Sequence, residues 1–230
     1  MASGKEDQII GKVQTQDLSV SWASGFTTDG NTDRLCILTM AHGQVRLTMQ
    51  SATLNLKGMR LTKGHVCVFA LFEAFDPKKG EAADKASEMF MNMMMKYDIT
   101  KKPAKDVLKK CLSKVDKMVA KEFKDEKYKA SIAAFASKDL TVCTVNGGRM
   151  FLMSEDKKIT EMTSAEMTIL TLGSTWKNIM LISGGYPFVK DEIKEDMTYP
   201  ITETVKKKDI AAITNASIIR AQKMDPEGKR

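Results

Sequence analysis

Val66-Cys67-Val68-Phe69-Ala70-Leu71-Phe72-Glu73-Ala74-Phe75-Asp76 is the stretch around which the chain is ordered. Its apolar run, rich in Val and Phe, reads as a strand buried on both faces, because a half-exposed strand would alternate with polar residues. It ends in two acids, Glu73 and Asp76. Pro77 cannot donate to a strand ladder and stops the run, and Gly80 loosens the chain ahead of a helix. Carboxylates at the tip of a buried strand are held rigidly at the edge of the core, which is where hard-cation sites are built. The plainer alternative is two solvated charges where a strand exits, since Asp and Glu are usually exposed.

Outward from that strand, the pattern changes to helical. Across 81–97, Ala83, Ser87, Phe90 and Met94 recur at helical spacing, flanked by Met89 and Met93. A methionine stripe serves either as an adaptable partner surface or as core packing, and core packing is the expectation here. Pro103 suits a helix's first turn. From it, Val107, Leu108, Cys111, Leu112, Val115, Met118, Val119 and Phe123 form one apolar face. Lys105, Asp106, Lys109, Lys110, Lys114, Lys117 and Lys121 form the opposite one. That spacing predicts a surface helix lying on a sheet.

Strand patterns flank this helical pair. Upstream, 8–14, 18–24, 35–40 and 45–56 read as strands, 35–40 by its apolar run and the others by alternation. Downstream, 130–137, 140–145, 149–154, 159–162, 168–172 and 178–183 read as short strands. Asn146-Gly147 between apolar runs is a hairpin signal. A short helix is expected near 189–194, and 205–222 reads either as a last helix or as a segment containing a closing strand. The helix is preferred, because Ala212, Ala216, Ile219 and Gln222 fall near one face. Strands, paired helices, then strands again imply packed sheets with helices outside.

A chain of 230 residues with 43% hydrophobic content can bury a substantial core. One domain over 8–224 is expected, with 1–7 and 225–230 frayed. No run of about 18 apolar residues exists, so no membrane association is expected. The start lacks the apolar segment of a secretory signal. Cys36, Cys67, Cys111 and Cys143 are scattered through apolar segments without a C-x-x-C pair, and read as buried free thiols of a reducing, cytoplasmic or nuclear compartment. The net charge of +7 is dominated by lysines without interleaved aromatics, so nucleic acid is not the expected partner. An acidic protein surface suits that charge at least as well.

The order and spacing of these elements resemble the PPM/PP2C family of metal-dependent serine/threonine phosphatases over residues 17–222. Phe72-Glu73-Ala74-Phe75 falls where the family has Phe-Asp-Gly-His. Val145-Asn146-Gly147-Gly148-Arg149 falls on Val-Gly-Asp-Ser-Arg, and Ile182-Ser183-Gly184-Gly185-Tyr186 on Ala-Ser-Asp-Gly-Leu. Asn31-Thr32-Asp33-Arg34 sits where the family has a Glu-Asp pair. The resemblance implies an α+β fold: a PP2C-like β-sandwich of two antiparallel sheets flanked by helices, here truncated, with two Mg²⁺ or Mn²⁺ ions at one end in active members.

Departures from the family pattern shape the functional expectation. Glu73 keeps a carboxylate but is longer by one methylene, which displaces a ligand by about 1 Å or more from where Mg²⁺ demands it. Ala74 replaces the glycine whose carbonyl serves as a ligand in the family. Gly184 replaces an aspartate, Thr32 replaces an acid beside Asp33, and Asp209 is a ligand only if Lys208-Asp209-Ile210 is the closing strand. No arginine stands in the 25–31 loop to fork a phosphate. The expectation is a catalytically inactive pseudophosphatase with no cofactor, no catalytic residues, and vestigial metal positions at Asp33, Glu73, Ala74, Gly184 and Asp209. It would act as a regulatory module binding a protein partner whose identity the sequence does not name. The alternative is a weak Mn- or Mg-dependent serine/threonine phosphatase using Glu73 and Asp33, with Asp76 assisting. A third reading, independent of the resemblance, is a basic nucleic-acid-associated protein.

Overall fold

The 66–76 stretch forms β5 (Val66–Ala74), buried along its whole length. In the computed structural model, which describes residues 19–21, 34–41, 44–48, 53–55, 66–76, 79–97, 99, 102–136, 139–154, 156, 158–172 and 176–182, it lies inside a six-stranded antiparallel sheet. Its companions are β2 (Arg34–Ala41), β3 (Gln44–Thr48), β6 (Tyr128–Ala136), β7 (Asp139–Val145) and β10 (Thr168–Leu172). The order is β10-β7-β6-β5-β2-β3. A second antiparallel sheet, β11-β8-β9, contains β8 (Arg149–Ser154), β9 (Ile159–Thr163) and β11 (Trp176–Ile182). Short strands β1 (Ser19–Ser21) and β4 (Thr53–Asn55) pair separately.

Alternation along β5 creates two cores. Val66, Val68, Ala70, Phe72 and Ala74 join Ala82, Ala86, Phe90 and Met94 of α1 (Glu81–Lys96) and Leu108, Cys111, Leu112 and Val115 of α2 (Ala104–Glu122). Cys67 and Phe69 point the other way, into a core with Met150, Leu152 and Met162 of the second sheet. The layers are therefore helices, large sheet, small sheet. β5 is apolar on both faces because each face has its own cover, although its sheet is antiparallel. Phe72 anchors the helical side, with ring centroids 5.4 Å from Phe90 and 5.8 Å from Tyr128.

Both helices follow their predicted limits within a residue or two, and Met89, Met91 and Met94 are buried, as core packing requires. Met118 departs from the predicted apolar face: it is 49% exposed, at the margin of the stripe that meets the sheet. The alternating run at 45–56 is not one strand. It supplies β3, which pairs with β2, and β4, which pairs with β1 in another sheet. Alternation reports which residues are half-buried and is blind to a change of partner. The readings at 8–14, 189–194 and 205–222, and the frayed ends, lie outside the described residues.

The Asn146-Gly147 turn is present but is not a hairpin. Asn146 (φ 53) and Gly147 (φ 87) both take positive φ, and the Gly148 amide donates to the Val145 carbonyl at 2.9 Å. That is the geometry Asn-Gly favours. Yet β7 belongs to the large sheet and β8 to the small one, so the turn passes the chain between layers. Close packing against β6 forces the crossing. A Cβ on Gly148 would lie 1.8 Å from the Ala130 carbonyl oxygen, the Asn146 side-chain amide donates to the Tyr128 carbonyl at 3.0 Å, and the Ser131 hydroxyl donates to the Arg149 carbonyl at 3.0 Å.

Cys36, Cys67, Cys111 and Cys143 are all buried free thiols, as expected. Burial pushes Cys36 and Cys111 up to about 11 and Cys67 and Cys143 up to about 12, so they are neutral at physiological pH. Among the described residues, no helix is long and apolar enough to cross a membrane. One buried polar contact ties α2 to β6: the Tyr128 hydroxyl donates to Asp116 Oδ1 at 2.5 Å. Burial raises the Asp116 carboxyl above its usual 3.8, and the tyrosine hydrogen bond only partly opposes this.

These contacts give two expectations. Gly147→Ala should cost about 1–2 kcal/mol, the price of a left-handed residue, because open space surrounds that Cα. Gly148→Ala should cost more and resist relaxation, since the obstacle is backbone; urea denaturation of both variants ranks them. For Asp116, a raised folded pKa means its contribution is fully present below 3.8 and is lost as pH rises through the folded value. Asp116→Asn keeps an acceptor for Tyr128, so its melting temperature relative to wild type should climb as pH rises above 3.8 and through the raised folded value; parallel melting curves at all pH values would contradict this.

Candidate functional site

Four chain segments meet at the carboxyl end of β5. Cross-strand register sets Glu73 opposite Lys129 and Ala74 opposite Tyr128, while Arg34 at the start of β2 faces Phe72. The pairing reaches one step further, since the Phe75 amide donates to the Lys127 carbonyl at 3.2 Å. The Asn146 contact to Tyr128 brings the 146–148 turn to the same end. Alternation then sorts side chains by face. Glu73 shares the face of Cys67 and Phe69, toward the second sheet, whereas Arg34 shares that of Cys36, Leu38 and Phe72, toward the helices.

The two faces differ chemically. On the helical side, Arg34 forks onto Asp84 of α1, with Nε 2.5 Å from Oδ1 and Nη2 3.1 Å from Oδ2. This two-point pair fixes the start of β2 to the first turn of α1. On the sandwich side, Glu73 is only 4% exposed, so its carboxylate sits at the boundary of the core rather than in water. Just beyond it, Asp76 is exposed and Phe75 is 53% exposed. The Lys129 ammonium stands 5.1 Å from the Phe75 ring centroid. Arg149, the last residue of the 145–149 match, is engaged elsewhere: Nε lies 2.5 Å from Glu161 Oε1, and the guanidinium covers the Phe151 ring.

The predicted metal positions divide accordingly. Glu73 and Ala74 fall together at the tip of β5, with Asp76 past its end. Asp33, Gly184 and Asp209 lie outside the described residues. Among the described residues no three His, Cys, Asp or Glu side chains converge on one point. What is present nevertheless fits a hard divalent cation in donor type. Glu73 offers a carboxylate on a rigid strand, and Ala74 retains the backbone carbonyl that a glycine would offer, because a carbonyl does not depend on the side chain. Sequence reading passed over Lys129 and the Arg34–Asp84 pair, since neither has a local pattern and both depend on strands and helices far apart in the chain.

No protein-family model and no curated protein matches this chain in sequence. Solved structures do match in three dimensions. Serine/threonine phosphatase Stp1 from Staphylococcus aureus superposes with a TM-score of 0.65 at 12% identity, covering 93% of this chain and 91% of that one. A bacterial serine phosphatase matches with a TM-score of 0.61 at 12% identity, covering 90% and 91%. The catalytic domain of serine/threonine protein phosphatase PstP, solved in complex with two manganese ions, matches with a TM-score of 0.58 at 12% identity, covering 93% of both chains.

Two expectations are corrected by these matches, namely that the chain is not an enzyme and that it takes no cofactor. The proteins sharing its architecture are phosphatases, and one was solved with two manganese ions. The physical fault lay in counting exchanged side chains. Glu73 for an aspartate leaves a carboxylate at the strand tip, and Ala74 for a glycine leaves the carbonyl. The three layers in this order have the fold of the PP2C-type serine/threonine phosphatases.

Proposed function

We propose that this protein is a Mn²⁺- or Mg²⁺-dependent serine/threonine phosphoprotein phosphatase of low turnover, working at the carboxyl end of β5. The observation that carries the reading is the Glu73 carboxylate, 4% exposed and held by ladder pairing on the sandwich-facing side of a phosphatase-type fold. Glu73 and the Ala74 carbonyl would hold the cation, with Asp33 joining from the sequence position that the resemblance assigns and Asp76 assisting. A divalent cation bound there supplies a water of lowered pKa and neutralises charge on the transferring phosphoryl group. The chain's own part is to hold Glu73 in the β5–β6 ladder and to clamp the neighbouring helix through Arg34 and Asp84. Low turnover follows from the extra methylene at Glu73 and from Gly184, which brings no carboxylate. The working unit is the single domain over 8–224, in a reducing compartment that keeps the four thiols free.

A second reading, a regulatory module that captures a protein partner, is favoured by the outer face of α2. Lys105, Lys109, Lys110, Lys114, Lys117 and Lys121 are all exposed there and have no ion-pair partner among the described residues. Such a face suits an acidic or phosphorylated protein surface.

Hydrolysis of p-nitrophenyl phosphate and of a phosphothreonine peptide in excess Mn²⁺ separates the two. The phosphatase reading expects slow turnover that chelation removes, that Mn²⁺ restores, and that Glu73→Ala lowers by about 100-fold, the scale of losing one transition-state contact. Stoichiometric capture of the phosphopeptide without release of phosphate would favour the regulatory module instead. Neither turnover nor capture would defeat both.

A further inference from the structure

Hydrolysis or capture of a phosphorylated side chain needs a cation for the phosphoryl oxygens as well as a site for metal, and the 25–31 loop contains no arginine to serve. Resting on the reading above, we propose that Lys129 is the phosphate-binding residue of this site, with Phe75 as the platform that holds it.

Geometry selects Lys129 over the other cations nearby. It is directly opposite Glu73 in the β5–β6 ladder, on the same face of the sheet. Residues so paired have Cβ atoms roughly 5 Å apart, so whatever approaches Glu73 from the open end passes within reach of the lysine stem. Arg34 lies on the other face and is forked onto Asp84. Arg149 is committed to Glu161.

The chemistry of its resting contact supports the role. An opposed Glu–Lys pair would ordinarily close into an ion pair, yet among the described residues Lys129 has no carboxylate partner. Its ammonium instead rests 5.1 Å from the centroid of the Phe75 ring. A ring face attracts a cation without consuming its N–H donors as an oxyanion does. The three donors of the ammonium stay available to an incoming anion. Phe75 is itself 53% exposed, which puts the cation at the mouth of the site and its ring where it guides the substrate's apolar atoms. The β5–β6 bond from the Phe75 amide to the Lys127 carbonyl holds platform and cation in register. Buried Glu73 behind and solvent in front make Lys129 the group that admits a second anion beside the first.

Inorganic phosphate titrated into the full chain by calorimetry, with and without Mn²⁺, tests the assignment on wild type, Lys129→Ala, Lys129→Gln and Lys129→Arg. The expected result is affinity weakened about tenfold in Lys129→Ala and Lys129→Gln and retained in Lys129→Arg, the scale of one hydrogen bond to a charged group. For phosphopeptide hydrolysis the same two variants should raise KM with kcat nearly unchanged, as loss of binding shared equally by ground and transition states requires. The glutamine variant keeps the lysine stem in the ladder should the alanine fail to fold. Phosphate affinity equal in wild type and Lys129→Gln overturns the assignment, and Mn²⁺-dependent turnover surviving in that variant with unchanged KM would leave the phosphatase reading standing without it. Lys129-dependent phosphate binding with no turnover in any buffer upholds the assignment and defeats the phosphatase reading.

Discussion

The whole arrangement depends on one strand being covered twice. β5 turns Phe72, Ala70 and Val68 toward two helices and Phe69 and Cys67 toward a second sheet, and all of these are buried. Burying apolar surface yields roughly 25 cal/mol for each Å², so a strand with two dry faces contributes on both. Neither cover is dispensable: without the helices Phe72 loses Phe90, and without the small sheet Phe69 meets water. The turn at 146–148 joins the large sheet to its small-sheet cover, and its geometry is tight because it runs against the backbone of β6.

The chemistry of the site follows from where that double burial stops. Glu73 still faces the interior, so its carboxyl group sits at the limit of the core, while Asp76, three positions on, is in solvent. A carboxylate in this position is positioned by the ladder rather than by its own flexible stem. β6 contributes the opposing Lys129, and α1 contributes Asp84, which fixes Arg34 on the far side. Each face of the sheet thus carries its own acid and cation, Glu73 with Lys129 on one and Asp84 with Arg34 on the other. Charges at such a core edge act through a medium less screened than water.

Much of this was legible in the chain. The apolar run at 66–74, the 3.6-residue spacing of Val107, Leu108, Cys111, Leu112 and Val115, and the acid at 73 each carry a local signal, and each is found in place. Two features misled. The alternating run at 45–56 looked continuous but changes partners between β3 and β4. The Asn146-Gly147 turn looked like a hairpin but links two sheets, since turn chemistry specifies dihedral angles and leaves the partner of the next strand open. The inference of inactivity came from residue identities alone, and a fold shared with phosphatases argues against it.

What the sequence determined by itself was periodicity: which segments are strands or helices, which faces are dry, and that a carboxylate closes the most buried strand. These properties are local, set by the spacing of side chains along a few turns or a few pleats. Which strands adjoin, and therefore that Lys129 stands opposite Glu73 while Arg34 is turned away and held by Asp84, was decided only by the tertiary structure. The reason is physical. Register between distant strands is fixed by the simultaneous packing of both sheet faces, a condition that no single stretch of the chain contains.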